Sequence, residues 1–267
     1  MLTALTRAVS PAFANCELSF IARQPIDLKI AEAQHRSYEK LLATLGAKVI
    51  SLPAEPDLPD SMFVEDPALV LDELAVILPL GTESRRRESE SLALALQPFR
   101  KLAHISLPGA MEGGDILRVG RKIYAGLSRR TNAEGIRQLR TLLTPYDYEV
   151  IAVPVTGCLH LKSAVTLLAR NTLLANPSWF DASLFSGYQW IEVSPDEPHA
   201  ANTLAIADQI IFPASFPHTA NRMKNQAFSI LPIDISELQK AESGLTCSCL
   251  LFDAPQPGST GAERAHF

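Results

Sequence analysis

The chain contains few cysteines, and their arrangement excludes two common structural uses of the thiol. Four cysteines in 267 residues are too few for a disulfide framework. Cys247 and Cys249 are separated by one residue, so a bridge between them would be strained, and the C-x-x-C pairs of a structural zinc site are missing. We therefore expect reduced thiols and a cytoplasmic location.

The sequence also lacks the features of nucleic-acid-binding and membrane proteins. It has 24 Lys and Arg against 29 Asp and Glu, whereas nucleic-acid binding needs a basic face. No apolar run approaches the length of a membrane span, and the first seven residues lack the basic-then-apolar order of a signal peptide. We predict no nucleic-acid partner and no membrane partner. The 47% hydrophobic fraction is that of a soluble globular protein with a sizeable core.

No glycine-rich phosphate loop is present, because Glu112-Gly-Gly-Asp115 matches neither G-x-G-x-x-G nor the P-loop spacing. The simple alternation of a doubly wound sheet fits poorly, since hairpins intervene between the strands and helices. Instead, a hairpin, a helical stretch and a further strand recur about five times, which is typical of radial repetition. We predict one α/β domain over residues 1–252 and a disordered tail over 253–267.

The apolar spacing predicts one helix in each repeated module, and Gly46 is the natural stop of the first. The predicted helices cover residues 26–45, the later part of 81–95, 129–143, 179–185 and 218–228.

Polar residues stand where the chain begins most of these hairpins. If the modules surround an axis, equivalent positions meet at one end of it and form a single pocket. Each residue also has an ordinary explanation, as a turn, a tight loop or a core histidine, and taken singly these explanations are at least as good. The residues are Asp60, Glu65, Asp66, Glu112, Asp115, His160 and Cys247.

The last module begins with two nearby thiols, Cys247 and Cys249, after Gly244. Cysteines are most often buried as small hydrophobic residues, so position alone favours a structural role for both. A thiolate is also a strong nucleophile, and that use requires a histidine and a substrate-binding carboxylate elsewhere in the chain.

Taken together, four segments resemble the motifs of one family. The chain is similar to the guanidine-modifying (pentein) superfamily, which includes arginine deiminases and amidinotransferases, and most closely to the dimethylarginine dimethylaminohydrolases. The resemblance covers about residues 5–252 and implies a five-bladed α/β-propeller of pseudo-symmetric ββαβ units, with the active site at one end of the channel. The segments are Phe63-Val-Glu-Asp66, Glu112-Gly-Gly-Asp115, Leu159-His-Leu-Lys162 and Leu245-Thr-Cys247.

The resemblance also implies residue roles. Cys247 would be the nucleophile rather than Cys249, and His160 would act first as general acid and then as general base. Glu112 and Asp66 would bind the guanidinium group. Further substrate contacts would come from Leu18 on a mobile lid, Asp60, Phe63, Glu65, Arg85, Arg130 and the backbone of Ala241.

The implied reaction converts an Nω-methylated arginine, dimethylarginine or monomethylarginine, to citrulline and dimethylamine or methylamine through a Cys S-alkylthiouronium intermediate. The guanidinium carbon is a poor electrophile, so carboxylates must fix its plane and an acid must protonate the leaving amine. The reaction needs no metal and no organic cofactor.

Lys162 favours a methylated substrate, since arginine deiminases resemble His-x-Asp at this point and use the extra carboxylate on an unmethylated nitrogen. Two alternatives stay open: a related, arginine deiminase-like amidine hydrolase acting on another guanidino compound, and a catalytically silent guanidine-binding propeller. Retention of Cys247, His160 and both carboxylates speaks against the silent propeller, because binding alone needs no thiol. The sequence leaves monomer and homodimer equally open.

Overall fold

The computed structural model describes residues 1–254, in which fifteen strands form five separate three-stranded sheets. The strands are β1 Leu2–Arg7, β2 Lys48–Leu52, β3 Ala68–Val70, β4 Leu74–Ile77, β5 Lys101–His104, β6 Ile116–Val119, β7 Lys122–Leu127, β8 Glu149–Pro154, β9 Val165–Ala169, β10 Thr172–Ala175, β11 Gln189–Glu192, β12 Leu204–Ile206, β13 Gln209–Pro213, β14 Ser229–Ile233 and β15 Leu250–Asp253.

Every sheet has the same pairing. A hairpin supplies two antiparallel strands, and a third strand, reached by a longer crossover, pairs in parallel with the second. In the first sheet the antiparallel partner of β1 is the last strand, β15, with Leu2 opposite Asp253, so the two ends of the described chain close the ring. Five such ββαβ units form the predicted five-bladed α/β-propeller, and the fold prediction is confirmed.

The helices lie in the crossovers between the second and third strands and in short connections. The first, α1, begins at Asp27, whose side chain accepts hydrogen bonds from the N–H groups of Lys29 and Ile30. It ends before Gly46, which has a φ of +90° that favours glycine. The helices are α1 Leu28–Thr44, α2 Glu88–Leu96, α3 Ala133–Leu143, α4 Leu161–Ala164, α5 Pro217–Lys224 and α6 Ser236–Gln239.

The predicted helix over residues 179–185 is wrong. Two separate 3₁₀ turns, Pro177–Trp179 and Ala182–Phe185, occupy this crossover. The side chains of Asn176 and Asp181 each accept a hydrogen bond from an N–H two residues on, and so satisfy the backbone locally. Local bonds of this kind compete with a continuous helix.

The first strand of each hairpin lies innermost, and these five strands, β3, β6, β9, β12 and β15, surround a central channel. One part of the channel is a cavity of about 340 Å³ lined by their side chains. Because all five inner strands run in the same direction, the residues that precede them meet at one end of the axis. That end carries the candidate site.

The last strand extends through Asp253, one residue past the predicted domain boundary, and Ala254 is buried behind it. The rest of the predicted tail lies outside the described residues. Within residues 1–254, no helix is both long enough and apolar enough to span a membrane.

Candidate active site

A small cavity lies at the end of the channel where the chain begins the inner strands. Its walls bring together most of the residues predicted from the sequence. Those that line it are Asp60, Phe63, Asp66, Arg85, Arg130, His160, Ala241 and Cys247, together with Glu17, Leu159, Glu242 and Ser243. Thiol, imidazole and carboxylates from different blades therefore share one enclosure.

Glu112 lies directly behind the imidazole of His160 and is fully buried. Its Oε2 is 2.7 Å from His160 Nε2, and its Oε1 accepts a hydrogen bond from the Gly81 N–H at 3.1 Å. Burial alone would lower the pKa of His160, but the charge of Asp66, the hydrogen bond to Glu112 and the charge of Asp115 outweigh it and raise that pKa to about 9. His160 is therefore an imidazolium at neutral pH, ready to donate a proton.

Burial by itself would raise the pKa of Glu112. The hydrogen bond and the charge of His160, with the charges of Arg85 and Arg130, reverse this effect and hold the pKa at about 2. Arg130 Nη1 donates to Glu112 Oε1 at 3.3 Å. Glu112 is thus a permanent carboxylate in a fully buried position.

The two glycines of the Glu112-Gly-Gly-Asp115 segment allow this close assembly. A Cβ on Gly113 would lie 1.9 Å from the backbone oxygen of Glu65, and a Cβ on Gly114 would lie 2.4 Å from Nδ1 of His160. Asp115 then fixes the histidine segment, because its Oδ1 accepts the Leu161 N–H at the start of α4 at 2.9 Å. Close packing between neighbouring blades thus requires glycine at both positions between Glu112 and Asp115.

Asp66 presents a carboxylate that is only partly satisfied. Its Oδ2 accepts a hydrogen bond from Arg85 Nη1 at 3.0 Å, whereas Oδ1 is buried and has no hydrogen-bond partner among residues 1–254. Arg85 is otherwise held by Glu88, to which Nε and Nη2 donate at 3.0 and 2.9 Å. An unpaired buried acceptor costs about 1–3 kcal/mol, so this oxygen is well prepared for a donor supplied by a ligand.

Residues 17–23, the covering segment, lie over the cavity and are held at several points. The N–H of Glu17 donates to both oxygens of Asp60, and Arg130 Nη2 donates to the Ser19 hydroxyl at 3.1 Å. Glu242, which has a φ of +57°, accepts hydrogen bonds from the backbone N–H groups of residues 19–21. Asp60 and Arg130 thus lie at the junction between the cavity and its cover.

Cys247 lies in a short 3₁₀ turn, Thr246–Ser248, with part of its surface exposed. The Gly244 N–H donates to its sulfur at 3.4 Å, and the Glu65 N–H donates to its carbonyl oxygen at 3.2 Å. Burial, with the charges of Glu65 and Asp66, raises the pKa of the thiol well above its ordinary value. The thiol is therefore protonated at neutral pH in the ligand-free protein.

Cys249 occupies a different environment. It is buried in a hydrophobic cluster, and its sulfur lies 3.0 Å from the hydroxyl of Tyr38, which also donates to the Leu245 carbonyl. Burial raises the pKa of this thiol to about 12. Cys249 faces the channel on the side away from the candidate site.

The Glu65 carboxylate does not reach the cavity, although the resemblance implied a substrate contact. It pairs with the ammonium group of Lys162 and accepts the Thr246 hydroxyl at 2.7 Å. All three side chains line the larger channel cavity on the opposite side. The ion pair therefore lies between the candidate site and the rest of the channel, and Lys162 adds no acceptor to the site.

Leu18 is half-buried in the covering segment and packs against a hydrophobic cluster, not among the side chains that line the cavity. Sequence reasoning missed several residues of the site: Glu17, Leu159, Glu242 and Ser243 line the cavity, Glu88 binds Arg85, and Asn202 bonds to the segments that carry His160 and Cys247. Asn202 could have been found, since it precedes β12 where His160 and Asp66 precede β9 and β3. Glu88 and Glu242 show no such positional signal.

Asp66, Glu112 and His160 bring one potential ligand atom each within 4.8 Å of one another, a spacing that could hold a metal ion. Both carboxylates already accept hydrogen bonds from Arg85 or Arg130. These fixed positive charges oppose a compact divalent cation at the same point.

Comparison with known proteins agrees with this geometry. The sequence model of a family described as N,N dimethylarginine dimethylhydrolase, eukaryotic, matches residues 19–254. A Pseudomonas aeruginosa protein described as N(G),N(G)-dimethylarginine dimethylaminohydrolase is 36% identical over 228 residues, which are 85% of this chain and 90% of that protein. This chain belongs to the dimethylarginine dimethylaminohydrolase family. As a member of it, the protein is a hydrolase of carbon–nitrogen bonds.

Two further comparisons show how much of the chain the family likeness covers. The Streptomyces coelicolor dimethylarginine dimethylaminohydrolase is 35% identical over 246 residues, 91% of this chain and 94% of that protein. A solved structure of a mutant Pseudomonas aeruginosa enzyme complexed with citrulline superposes with a TM-score of 0.88 at 32% identity. It covers 94% of this chain and 100% of that chain.

Proposed function

We propose that the protein hydrolyses Nω-methylated arginine, dimethylarginine or monomethylarginine, to citrulline and the corresponding methylamine through a covalent intermediate on Cys247. The observation that carries the proposal is the unpaired, buried Oδ1 of Asp66 in the cavity that also holds the thiol of Cys247 and the imidazolium of His160. Citrulline, the product proposed here, is bound in the related Pseudomonas aeruginosa structure.

The substrate guanidinium would lie between Asp66 and Glu112, where it satisfies the free oxygen of Asp66. At the other end of the substrate, Asp60 would accept the ammonium group and Arg130 would donate to the carboxylate, helped by Arg85 and the backbone of Ala241. Phe63 would pack against the aliphatic part. Each of these residues lines the cavity except Glu112, which contacts it through His160.

The covering segment must move before such a substrate can enter, because the cavity has a volume of only about 10 Å³. That is room for about one water molecule. Opening would separate Ser19 from Arg130 and the Glu17 N–H from Asp60, and substrate would then take up the released donors and acceptors. Leu18 would move with this segment.

Binding of the substrate guanidinium would also lower the pKa of the Cys247 thiol and so promote formation of the thiolate. The pKa of Cys247 is raised by burial and by the charges of Glu65 and Asp66. A unit positive charge about 4 Å away is worth about 4 kcal/mol at an effective dielectric constant near 20, or about three pKa units. The guanidinium would therefore favour loss of the thiol proton to solvent at the moment when its carbon lies beside the sulfur.

The thiolate would then attack the guanidinium carbon, forming an S–C bond and a tetrahedral adduct. His160 would protonate the methylated nitrogen as the C–N bond breaks, releasing dimethylamine or methylamine and leaving an S-alkylthiouronium. Water would add to the same carbon and neutral His160 would take one of its protons; the C–S bond would then break as the remaining hydroxyl proton passes to solvent. Citrulline and the Cys247 thiolate result, and no redox step or cofactor is involved.

Incubation of the purified protein with dimethylarginine, monomethylarginine and arginine, followed by assay of citrulline, tests the proposal. We expect citrulline from the methylated substrates and little from arginine, because the described residues give the site only Asp66 and Glu112 as guanidinium acceptors and Lys162 faces away. Citrulline mainly from arginine would contradict the methylated preference and favour a related amidine hydrolase. No turnover, with ligand binding retained, would favour the silent guanidine-binding propeller.

A further inference from the structure

Asn202, in the segment that leads into β12, makes three hydrogen bonds to the two segments that carry the proposed acid and nucleophile. Its Oδ1 accepts the Thr246 N–H at 3.0 Å, and its Nδ2 donates to the Thr246 hydroxyl at 3.0 Å and to the Lys162 carbonyl at 3.1 Å. Thr246 directly precedes Cys247, and Lys162 follows His160 by two residues.

The amide group fits its surroundings closely. Asn202 is 7% exposed, and both hydrogens of its amide are engaged. A Cβ on Gly244 would lie 2.3 Å from the Asn202 side-chain carbon, so the glycine before the nucleophile turn leaves the space that this amide occupies. The N–H of the same glycine donates to the Cys247 sulfur.

Among residues 1–254, no side chain from the segment before β12 lines the cavity. The amide of Asn202 nevertheless connects the turn before β15, which carries Cys247, to the segment before β9, which carries His160. Glu65 also bonds to both Thr246 and Lys162, but it reaches only their side chains, whereas Asn202 reaches the Lys162 carbonyl and the Thr246 N–H.

We propose that Asn202 is a positioning residue for the hydrolysis, and that its amide sets the separation between the Cys247 sulfur and the His160 imidazole. The inference rests on the proposed function, because it assigns those two groups to successive steps at one carbon. Misplacement of a reacting group by about 1 Å can lower the rate about 100-fold. A displaced turn would also withdraw the Gly244 N–H from the sulfur and make the thiolate harder to form.

The test compares Asn202→Ala with Asn202→Asp and with Asn176→Ala. Asn202→Asp has nearly the same shape and keeps the acceptor for the Thr246 N–H, so it is expected to fold even if the alanine variant does not. Asn176 is a matched control, since it is 8% exposed and makes two comparable bonds, to the Ser178 N–H and the Pro198 carbonyl, away from the site.

For either Asn202 variant we expect kcat to fall about 30-fold to 100-fold while KM stays within about threefold, because position is lost and the substrate contacts are kept. Asn176→Ala should leave both constants unchanged even if the melting temperature falls. Thr246→Val should lower kcat, and adding it to Asn202→Ala should cost little more, whereas Thr246→Ser, which keeps the hydroxyl, should restore activity.

A second readout needs no substrate. The rate of Cys247 alkylation by iodoacetamide, followed against pH by peptide mass spectrometry, should show a higher pH midpoint in Asn202→Ala, which adds no charge, than in the wild type. An unchanged kcat and an unchanged midpoint in folded Asn202 variants would overturn the inference, as would equal losses in Asn176→Ala. If the wild type makes no citrulline but the midpoint still shifts, the proposed function fails and the positioning role stands.

Discussion

Replacing Cys247 by serine is expected to reduce citrulline formation from dimethylarginine by at least about 10⁴-fold, because the loss of a nucleophile removes the covalent route entirely. The serine hydroxyl has about the shape of the thiol but is not ionised beside Asp66 and Glu65. Steady-state citrulline assay on the folded variant measures the effect. The fold should be unaffected, since within the described part of the chain the sulfur accepts a single weak hydrogen bond, from the Gly244 N–H.

Cys249→Ser is the matched control, since the same change is made two residues away. This thiol is buried against Tyr38 and lies outside the cavity, so we expect turnover within about threefold of the wild type, with a loss of stability of about 1 kcal/mol from placing a hydroxyl in an apolar cluster. If Cys249→Ser were inactive and Cys247→Ser active, Cys249 and not Cys247 would be the nucleophile.

Replacing His160 by asparagine should lower kcat about 10⁴-fold, since one general acid–base group contributes about 10²–10⁴ and this histidine serves both steps. In the wild type, where bound substrate supplies the thiolate, kcat should fall as pH rises through about 9, because the imidazolium that protonates the amine is lost above that pKa. The imidazolium is the active acid. It is fully populated well below pH 9 and is lost as the pH rises above that value, so the rate falls on the alkaline side. Citrulline rates between pH 6 and 10 measure this limb.

Glu112→Gln should move the same limb to lower pH. Without the carboxylate at 2.7 Å, the hydrogen bond and the charge by which Glu112 raises the pKa of His160 are both lost, so that pKa falls. His35→Ala is a control for a buried imidazole next to a glutamate, since His35 lies 3.3 Å from Glu39 in α1, far from the site in the fold. It should leave the pH profile unchanged. A limb that stays near 9 in Glu112→Gln would refute the assigned cause.

The repeated hairpins could be predicted from sequence because period-two apolar runs, turns and helical spacing are local signals. Their closure into a ring then places the residues before each inner strand at one end, which correctly grouped Asp66, His160 and Cys247 in one cavity. The helix predicted over 179–185 failed because Asn176 and Asp181 cap short turns, a choice that apolar spacing does not reveal.

Glu65 shows what a motif alone cannot give. Glu65 and Asp66 lie in a run of turns before β3, and the two side chains enter different cavities. Asp66 lines the candidate site, whereas Glu65 lines the larger channel cavity and forms an ion pair with Lys162 there. Glu88, which holds Arg85, comes from a helix with no part in the motif, and only the tertiary structure brings the two together. The cytoplasmic location and the choice between monomer and homodimer stay predictions.

The most direct test of the account is to mix the wild-type enzyme with dimethylarginine, stop the reaction in acid within the first turnovers, and analyse the digested protein by mass spectrometry. We predict an adduct on the peptide that contains Cys247, with the mass of dimethylarginine less dimethylamine, which disappears as citrulline accumulates and is absent from Cys247→Ser. Citrulline formed at the same rate with no adduct at any time, or with the adduct on Cys249, would contradict covalent catalysis by Cys247.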